Sequence, residues 1–296
     1  MNIKQKHIIF VLVSSYIAYQ VLKNKPGIGK FTKRTLIPNV VYNTDEIKPG
    51  GRLERYWKPI EIDGKKYLGR DEEKREMYYY DPDEAISKFN LFGIEFGNWM
   101  NQEDRLNFLY ASMVTFTDIA KVLKVPFSKI GLEGQLALAL GARGNGGRNM
   151  AHYEPVQIVI NLTKTTGKGS LIHEWCHAFD HYINYKFCES PLLASESITD
   201  CDESKLIRNI IQKVLFNEDG SPTSYKKWLS KQRGYYSKRP EIWARICERF
   251  FHTQFKELGI LNSWGVPKYP ENSWPDKRLV DNVEGLIFRL FRKVLL

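Results

Sequence analysis

One short run in the sequence has residue types and spacing that suit metal chemistry. It is His173-Glu174-Trp175-Cys176-His177, an H-E-x-x-H pattern. On a helix, residues four positions apart lie on the same face, so both imidazoles could bind one Zn²⁺. The Glu174 carboxylate could then act as general base on a water at the metal. The run therefore predicts a zinc site with a catalytic glutamate, against the alternative of two ordinary histidines in a helix.

Catalytic zinc usually takes three protein ligands, so a further donor is needed. His181 continues the histidine series, but on a straight helix it lies about 12 Å from His173 along the axis, too far to share a metal. We favour Glu241, in an E-x-x-A segment after Pro240 that resembles the third-ligand helix of gluzincin peptidases. Glu248 lies nearly on the same helix face and is the alternative ligand, or an acid behind the ligands. The alternative for Glu241 and for Glu248 is an ordinary surface glutamate paired with a neighbouring arginine.

Other side chains near this run could assist it. Asp180 follows His177 by three positions and could accept a ring N–H and fix an imidazole tautomer, or make a polar contact elsewhere in the core. His152 precedes an apolar strand and could hydrogen-bond a developing oxyanion. Three tyrosines are weaker candidates for the same role: Tyr153, Tyr235 and Tyr236.

Apolar spacing predicts the elements that would position these residues. Apolar side chains recur with a helical period through residues 102–123, and Val156–Leu162 indicates a buried strand. Ser170 could cap a helix that carries the H-E-x-x-H run to about Phe187. An edge strand just before a metal helix can align an extended peptide by main-chain pairing, and we assign that role to Val156–Leu162. Further helices are predicted at residues 204–216, 224–232, 239–257 and 277–295.

Composition limits the class of protein. Hydrophobic residues make up 43% and charged residues 26% of the chain, which excludes a mainly disordered chain, a collagen or a coiled coil. The mean hydropathy of -0.41 excludes a polytopic membrane protein. The four cysteines form no C-x-x-C pair, so we expect neither a zinc knuckle nor a disulfide framework. The glycine-rich residues 141–150 indicate a tight loop or a wall beside the metal site.

The net charge of +10 is concentrated in the N-terminal quarter of the chain. Residues 1–80 carry 16 Lys+Arg and 9 Asp+Glu, whereas the remaining residues carry 28 and 25. Such a basic arm can meet phosphate or an anionic lipid surface, or can be a solvated face. The apolar run Ile8–Leu22 is shorter than a membrane-spanning helix needs. Three interpretations of it remain: a short membrane anchor, a signal peptide, or a helix packed on protein. Residues 57–68 predict a hairpin.

A longer series of motifs surrounds the H-E-x-x-H run. Its segments are Phe92–Trp99, Asp118–Ala120, Leu138–Gly144, Ala151–Pro155, Ile160–Lys164, Gly169–Asp180 and Ala244–Glu248. From about residue 88 to 256 the chain resembles the large polyvalent protein-associated domain with an H-E-W-x-H-A-x-D core. The resemblance implies a zincin-like metallopeptidase fold and an origin in a phage or mobile element, but no substrate. Cys176 and Ile172 depart from the family pattern, and both departures affect the packing of the site.

We therefore expect an α+β protein with a zincin-like metallopeptidase domain at residues 85–262, made of a mostly helical core and a small sheet. An apolar segment and linker (1–30) and a basic extension with a hairpin (31–84) precede it, and a helical tail (263–296) packs on it. The predicted Zn²⁺ ligands are His173, His177 and Glu241. Glu174 and His152 are the predicted catalytic residues, with Asp180 and Glu248 behind the ligands.

The expected partner is a protein or peptide substrate. One rival is a virion structural or interaction protein that keeps the metal site but does no chemistry. Another is a nucleic-acid-associated factor that uses the basic arm. The resemblance implies a location in the cytoplasm of a bacterial host or in a phage virion, and residues 1–30 could add a membrane or capsid contact.

Overall fold

A computed structural model describes residues 81–97, 100–143, 151–164, 167–188, 193–198, 200–232, 234–266 and 273–296. Within these ranges the protein is α+β. The helices are α1 (Pro82–Phe89), α2 (Gln102–Leu123), α3 (Leu171–Cys188), α4 (Asp202–Leu215), α5 (Ser224–Leu229), α6 (Arg239–Glu257), α7 (Lys277–Asp281) and α8 (Glu284–Leu295). The strands are β1 (Gly93–Phe96), β2 (Ala137–Leu140), β3 (Ala151–Glu154) and β4 (Val159–Leu162), and 3₁₀ turns lie at Phe127–Lys129 and Gly234–Ser237.

Local sequence explains where the helices begin and end. The Asn101 side chain caps α2 by accepting from the backbone N–H of Asp104 at 2.7 Å, and Lys124 ends the helix in the left-handed conformation. The predicted helices over 102–123, 170–187, 204–216, 224–232 and 239–257 are confirmed as α2 to α6, within a few residues at their ends. The predicted helix over 277–295 is two helices, because the chain leaves helical geometry at Val283, where ψ is 2°.

The sheet has the strand order β1-β2-β4-β3. The first three strands in that order are parallel, and β3 pairs antiparallel with β4 at the edge. The predicted strand Val156–Leu162 is therefore wrong in two respects. It begins only at Val159, since residues 155–158 form the turn from β3, and it lies inside the sheet. The edge strand that contacts α3 is β3, whose residues are half-buried.

The two faces of the sheet differ in chemistry because side chains alternate along each strand. One cross-strand row holds the apolar residues Ile94, Leu138 and Ile160 with Tyr153. The adjacent row, on the other face, holds Glu95, Ala139, Asn161 and His152. The Tyr153 hydroxyl reaches His181 of α3 at 2.7 Å, so the apolar face is the one that meets the metal helix.

Aromatic side chains join the metal helix to the C-terminal part of the chain. Phe291 of α8 packs on Trp175 and Phe179 of α3, with ring centroids 5.7 and 4.5 Å apart. Phe251 of α6 contacts the same tryptophan. Each such ring is fully buried, which stabilises the fold by roughly 1.5–3 kcal/mol per side chain. The helices that carry the histidines and Glu241 therefore share a core with residues beyond 263.

Cys188 ends α3 and forms a disulfide with Cys201, which lies just before α4. The sequence indicated no disulfide framework, and it did not reveal this single bridge. Cys176 and Cys247 are free and buried. In the described ranges, no helix combines the length and apolar character needed to cross a membrane. The predicted N-terminal segment 1–30 and the hairpin of the basic extension lie outside the described residues.

Candidate metal centre

Helix α3 is fixed in rotation by its apolar side, and this determines where its histidines point. Leu171, Trp175 and Phe179 are buried in the core, and the Trp175 indole N–H donates to the Ile130 carbonyl at 3.0 Å. With that side in the core, His173 and His177 lie together on another face. Their rings meet edge to face, with centroids 4.7 Å apart.

Three side chains converge as the sequence predicted: His173, His177 and Glu241. Their donor atoms all lie within 4.8 Å of one another. The two Nε2 atoms are 3.1 Å apart, and the Glu241 oxygens lie 3.6 Å from Nε2 of His173 and 3.4 Å from Nε2 of His177. Ligands about 2 Å from a tetrahedral metal are about 3.3 Å apart, so this spacing suits one ion. Two imidazoles and one carboxylate are a donor set found in catalytic zinc sites.

The second glutamate of α6 lies behind His173. An oxygen of Glu248 is 3.3 Å from His173 Nδ1, on the opposite side of the ring from Nε2. The same oxygen accepts from the indole N–H of Trp274 at 3.3 Å. A carboxylate at one ring nitrogen fixes the orientation of the other, which leaves Nε2 for a metal. Glu248 is fully buried, so its position is set by the core.

Charges within the cluster perturb the ionisation of its members. Burial lowers the pKa of His173, but the carboxylates of Glu248 and Glu241 outweigh burial and hold that pKa well above its usual range. Burial raises the pKa of Glu241, but the two imidazoles lower it by more, so its carboxylate is ionised. The protein thus holds a negative charge where a cation would be bound.

Glu174 lies on α3 between the two histidines and is 7% exposed. Burial raises the pKa of its carboxyl group, and the nearby imidazoles of His173, His177 and His152 act in the opposite direction. A general base works best when its pKa approaches the working pH, so a raised carboxyl pKa suits that role. The position on the ligand helix agrees with the base predicted from the H-E-x-x-H pattern.

His152 lies on the edge strand β3 and is engaged with neighbours on the polar face of the sheet. Its Nε2 is 3.1 Å from an oxygen of Glu154, and its Nδ1 is 3.5 Å from the side-chain nitrogen of Asn161. The hydrogen bond to Glu154 raises the pKa of His152 and outweighs the lowering by burial. To donate to a substrate oxygen, the Nε2–H group of His152 must either divide its hydrogen bond between that oxygen and Glu154 or break its hydrogen bond to Glu154.

Asp180 and His181 are on α3 but face other partners. Asp180 accepts from the backbone N–H and the hydroxyl of Ser195, at 2.8 and 2.5 Å, and burial raises its pKa to about 6. Glu248, rather than Asp180, therefore lies against a ligand imidazole. His181 contacts Tyr153, and burial lowers its pKa to about 4. It lies apart from the donor cluster, as its spacing predicted.

Two parts of the site were missed from the sequence. Trp274, which contacts Glu248, lies in the tail beyond the family resemblance, and tryptophans pack cores too often for its position alone to be a signal. Glu95 pairs with Arg143 at 2.6 Å and is 2% exposed. The sequence could have indicated that Glu95 has a partner, because a single carboxylate inside the apolar segment Gly93–Phe96 requires a buried partner.

A hydroxyl also reaches the third ligand. Tyr235, in the 3₁₀ turn before α6, donates to the Glu241 carboxylate. Its ring is 56% exposed. Burial of the hydroxyl and the Glu241 carboxylate together raise the pKa of Tyr235, so it remains a neutral donor.

The α+β fold and the buried His-His-Glu cluster define a candidate metal-binding protein. Comparisons with known proteins add no relative: no family model matches the chain, and no curated protein and no solved structure matches it. The chemistry of the site must therefore be argued from its own residues.

Proposed function

We propose that the protein is a zinc-dependent peptidase of the zincin-like class, with a gluzincin-like donor set. One observation carries the proposal: His173, His177 and Glu241 bring three donor atoms within 4.8 Å, and Glu174 lies on the same helix as both histidines. A purely structural metal site needs no buried carboxylate in that position. The combination of a donor set and a base supports hydrolysis.

Each protein group has a definite task in this reaction. Glu241 and the Nε2 atoms of the two histidines would hold the ion, and Glu248 would keep His173 turned toward it. When bound, zinc would polarise a substrate carbonyl and bring the pKa of water to about 7. Glu174 would accept a proton from the attacking water and pass it to the leaving amine. His152 would act from the β3 side, by its Nε2–H, on the oxygen that gains negative charge.

The edge strand suggests the form of the substrate. Among the described strands β3 is at the end of the strand order, beside β4, and its four residues are half-buried. An extended main chain binds to a sheet by adding to an edge strand. We propose that a peptide binds there in extended form, with its scissile bond near Glu174. This corrects the sequence-based assignment of the same role to the β4 segment.

The resemblance to the large polyvalent protein-associated domain adds further expectations. It supports an origin in a phage or mobile element, and a location in the bacterial cytoplasm or in a virion. Residues 1–30 and the basic extension would supply any contact with a membrane, a capsid or nucleic acid, and that contact remains a prediction.

The test combines metal analysis with a peptide library of broad sequence. Full-length protein should contain one zinc per chain and cleave some library members, and a chelator should abolish cleavage. Added zinc should restore it. A protein that binds zinc but cleaves no member would support the rival in which the site is structural. A protein that binds no zinc would overturn the proposal.

A further inference from the structure

A chain of charged side chains crosses the polar face of the sheet and ends on His152. It begins at Glu95 on β1, which is 2% exposed. Arg143, just after β2, places its Nε 2.6 Å from Glu95 and its Nη1 2.9 Å from Glu154 on β3. The other oxygen of Glu154 lies 3.1 Å from His152 Nε2. One guanidinium thus connects the two edge strands, β1 and β3.

The sheet leaves room for this arrangement. In the cross-strand row that contains Glu95 and His152, the two central strands contribute only Ala139 and Asn161. Glu95 and Glu154 come from the two outer strands of the sheet and meet through Arg143, which contacts both carboxylates. The planar fork of an arginine can bind both carboxylates at once. Lysine would bind as a point charge and could not replace it.

Arg143 also determines the second partner of His152. Its backbone N–H donates to Oδ1 of Asn161 at 3.0 Å. The amide nitrogen of Asn161 is therefore directed to His152 Nδ1, at 3.5 Å. An amide nitrogen only donates, so Nδ1 must accept and the imidazole proton belongs on Nε2, against Glu154. Arg143 thus holds both groups that contact the ring nitrogens of His152, which are the carboxylate of Glu154 and the amide of Asn161.

These contacts are partly exposed to solvent. The side chains of His152, Glu154 and Arg143 are 27%, 24% and 19% exposed, while Glu95 behind them is buried. The charges of Glu154, Glu174 and Arg143 act on His152. His152 is therefore electrostatically coupled to Glu174, the proposed base.

We infer that Arg143 and Glu154 are positioning residues for His152, and that they hold its exchangeable proton on Nε2. The inference rests on the proposed function for its catalytic meaning, because His152 acts on a substrate only if hydrolysis occurs. The positioning itself is a property of the protein without metal or substrate. It can therefore be measured separately.

The experiment records the tautomer and the titration of the His152 ring by long-range ¹H–¹⁵N NMR on full-length, metal-free protein. Four proteins are compared: wild type, Glu154→Gln, Arg143→Gln and the control Lys164→Gln. The control removes an ion pair of similar exposure, Lys164–Asp104, which shares no residue with the contacts of His152. In wild type and control, we expect neutral His152 to carry its proton on Nε2.

The two test variants should act on His152 by different routes. Glu154→Gln removes the carboxylate whose hydrogen bond raises the pKa of His152, so the titration midpoint shifts to lower pH. Arg143→Gln frees Glu154 and Oδ1 of Asn161 from their shared partner, so the neutral ring should populate both tautomers. Thermal unfolding of both variants should match that of the control, which separates these changes from a general loss of structure. An unchanged midpoint in Glu154→Gln, an unchanged Nε2 tautomer in Arg143→Gln, or a wild-type proton on Nδ1 would overturn the inference.

An activity measurement completes the test. Both variants should keep stoichiometric zinc and nearly unchanged KM, and lose kcat by about ten- to a hundred-fold, as outer partners of catalytic groups do. Unchanged kcat, despite the expected NMR shifts, would overturn the link between His152 and the reaction. If wild type cleaves no library peptide, the proposed function fails, and the NMR titration still decides the positioning of His152.

Discussion

The histidine pair of α3 and the polar face of the sheet assemble their charged groups in different ways. His173 and His177 are separated by about one helical turn, so a local pattern places them on one face of α3. On the sheet, Glu95, Arg143 and Glu154 come from three separate segments, and only strand order and register bring them together. The histidine pair is therefore encoded by local spacing, whereas the setting of His152, like the approach of Glu241 from α6, depends on the assembled fold.

Loss of a ligand should have the largest effect, since it removes a donor from the helical half of the site. We expect His173→Ala and His177→Ala to lose stoichiometric zinc, which elemental analysis of the purified proteins measures. Glu95→Gln on the sheet is the matched comparison and should keep its zinc. Equal zinc content in all four proteins, wild type included, would contradict a ligand role for the histidines.

Replacement of the base should separate chemistry from metal binding. General-base assistance typically contributes 10²–10⁴-fold, so Glu174→Gln should reduce kcat by about that factor. The amide is nearly isosteric with the carboxyl group, so zinc content and thermal unfolding should be those of wild type. Steady-state kinetics on a peptide selected from the library measure the effect. Wild-type turnover in this variant, with zinc present, would rule out the mechanism.

His181 of α3 contacts Tyr153 of the edge strand β3. Its pKa is about 4 in the folded protein, below the usual 6.5, so the unfolded chain binds a proton more readily between these values. Stability is then present above pH 6.5 and is lost as pH falls toward 4, by at most about 3 kcal/mol.

The comparison of wild type with His181→Gln isolates this contribution. We expect the variant to lose less unfolding free energy than wild type when urea melts at pH 7 and pH 4.5 are compared. Asp180, with its raised pKa of about 6, titrates in both proteins and cancels in the difference. A variant with the same pH dependence as wild type would show that His181 is not a buried neutral imidazole.

Replacement of Glu248, the partner behind His173, should weaken zinc binding less than replacement of a ligand does. We expect Glu248→Gln to weaken zinc binding by about 10–100-fold, and Trp274→Phe to weaken it less, because the indole acts only through Glu248. Competition with a chromogenic chelator measures both affinities. If Glu248→Gln loses zinc completely while Glu241→Gln retains it, the assignment of the third ligand is reversed.

Removal of residues 1–30 should have the smallest effect. This segment lies outside both regions compared above, and its apolar run is flanked by charges and followed by Lys-Asn-Lys-Pro-Gly. The shortened protein should keep the zinc content and the thermal unfolding midpoint of the full chain. Insolubility of the shortened protein would instead indicate that Ile8–Leu22 packs on the domain.

The sequence predicted the parts of this molecule that depend on local periodicity. The extents of α2 and α6 and the shared face of His173 and His177 follow from helical spacing and are observed. Glu241 was chosen because its E-x-x-A segment resembles a gluzincin ligand helix, and its convergence with the two histidines is observed too. The edge strand was misplaced because an apolar run indicates burial but not strand order, and β3, with His152, Tyr153 and Glu154, has no such run. The Cys188–Cys201 disulfide was missed because cysteine spacing does not reveal that α3 and α4 meet at their ends.

The contact between Trp274 and Glu248 has a consequence for how the protein is made. The histidines leave the ribosome long before Trp274 and before Phe291, which packs against the metal helix. A nascent chain can therefore present His173 and His177 while the carboxylate behind them is unsupported and the core around Trp175 is open. The side chains that support Glu248 and Trp175 are therefore synthesised after all three residues of the donor cluster.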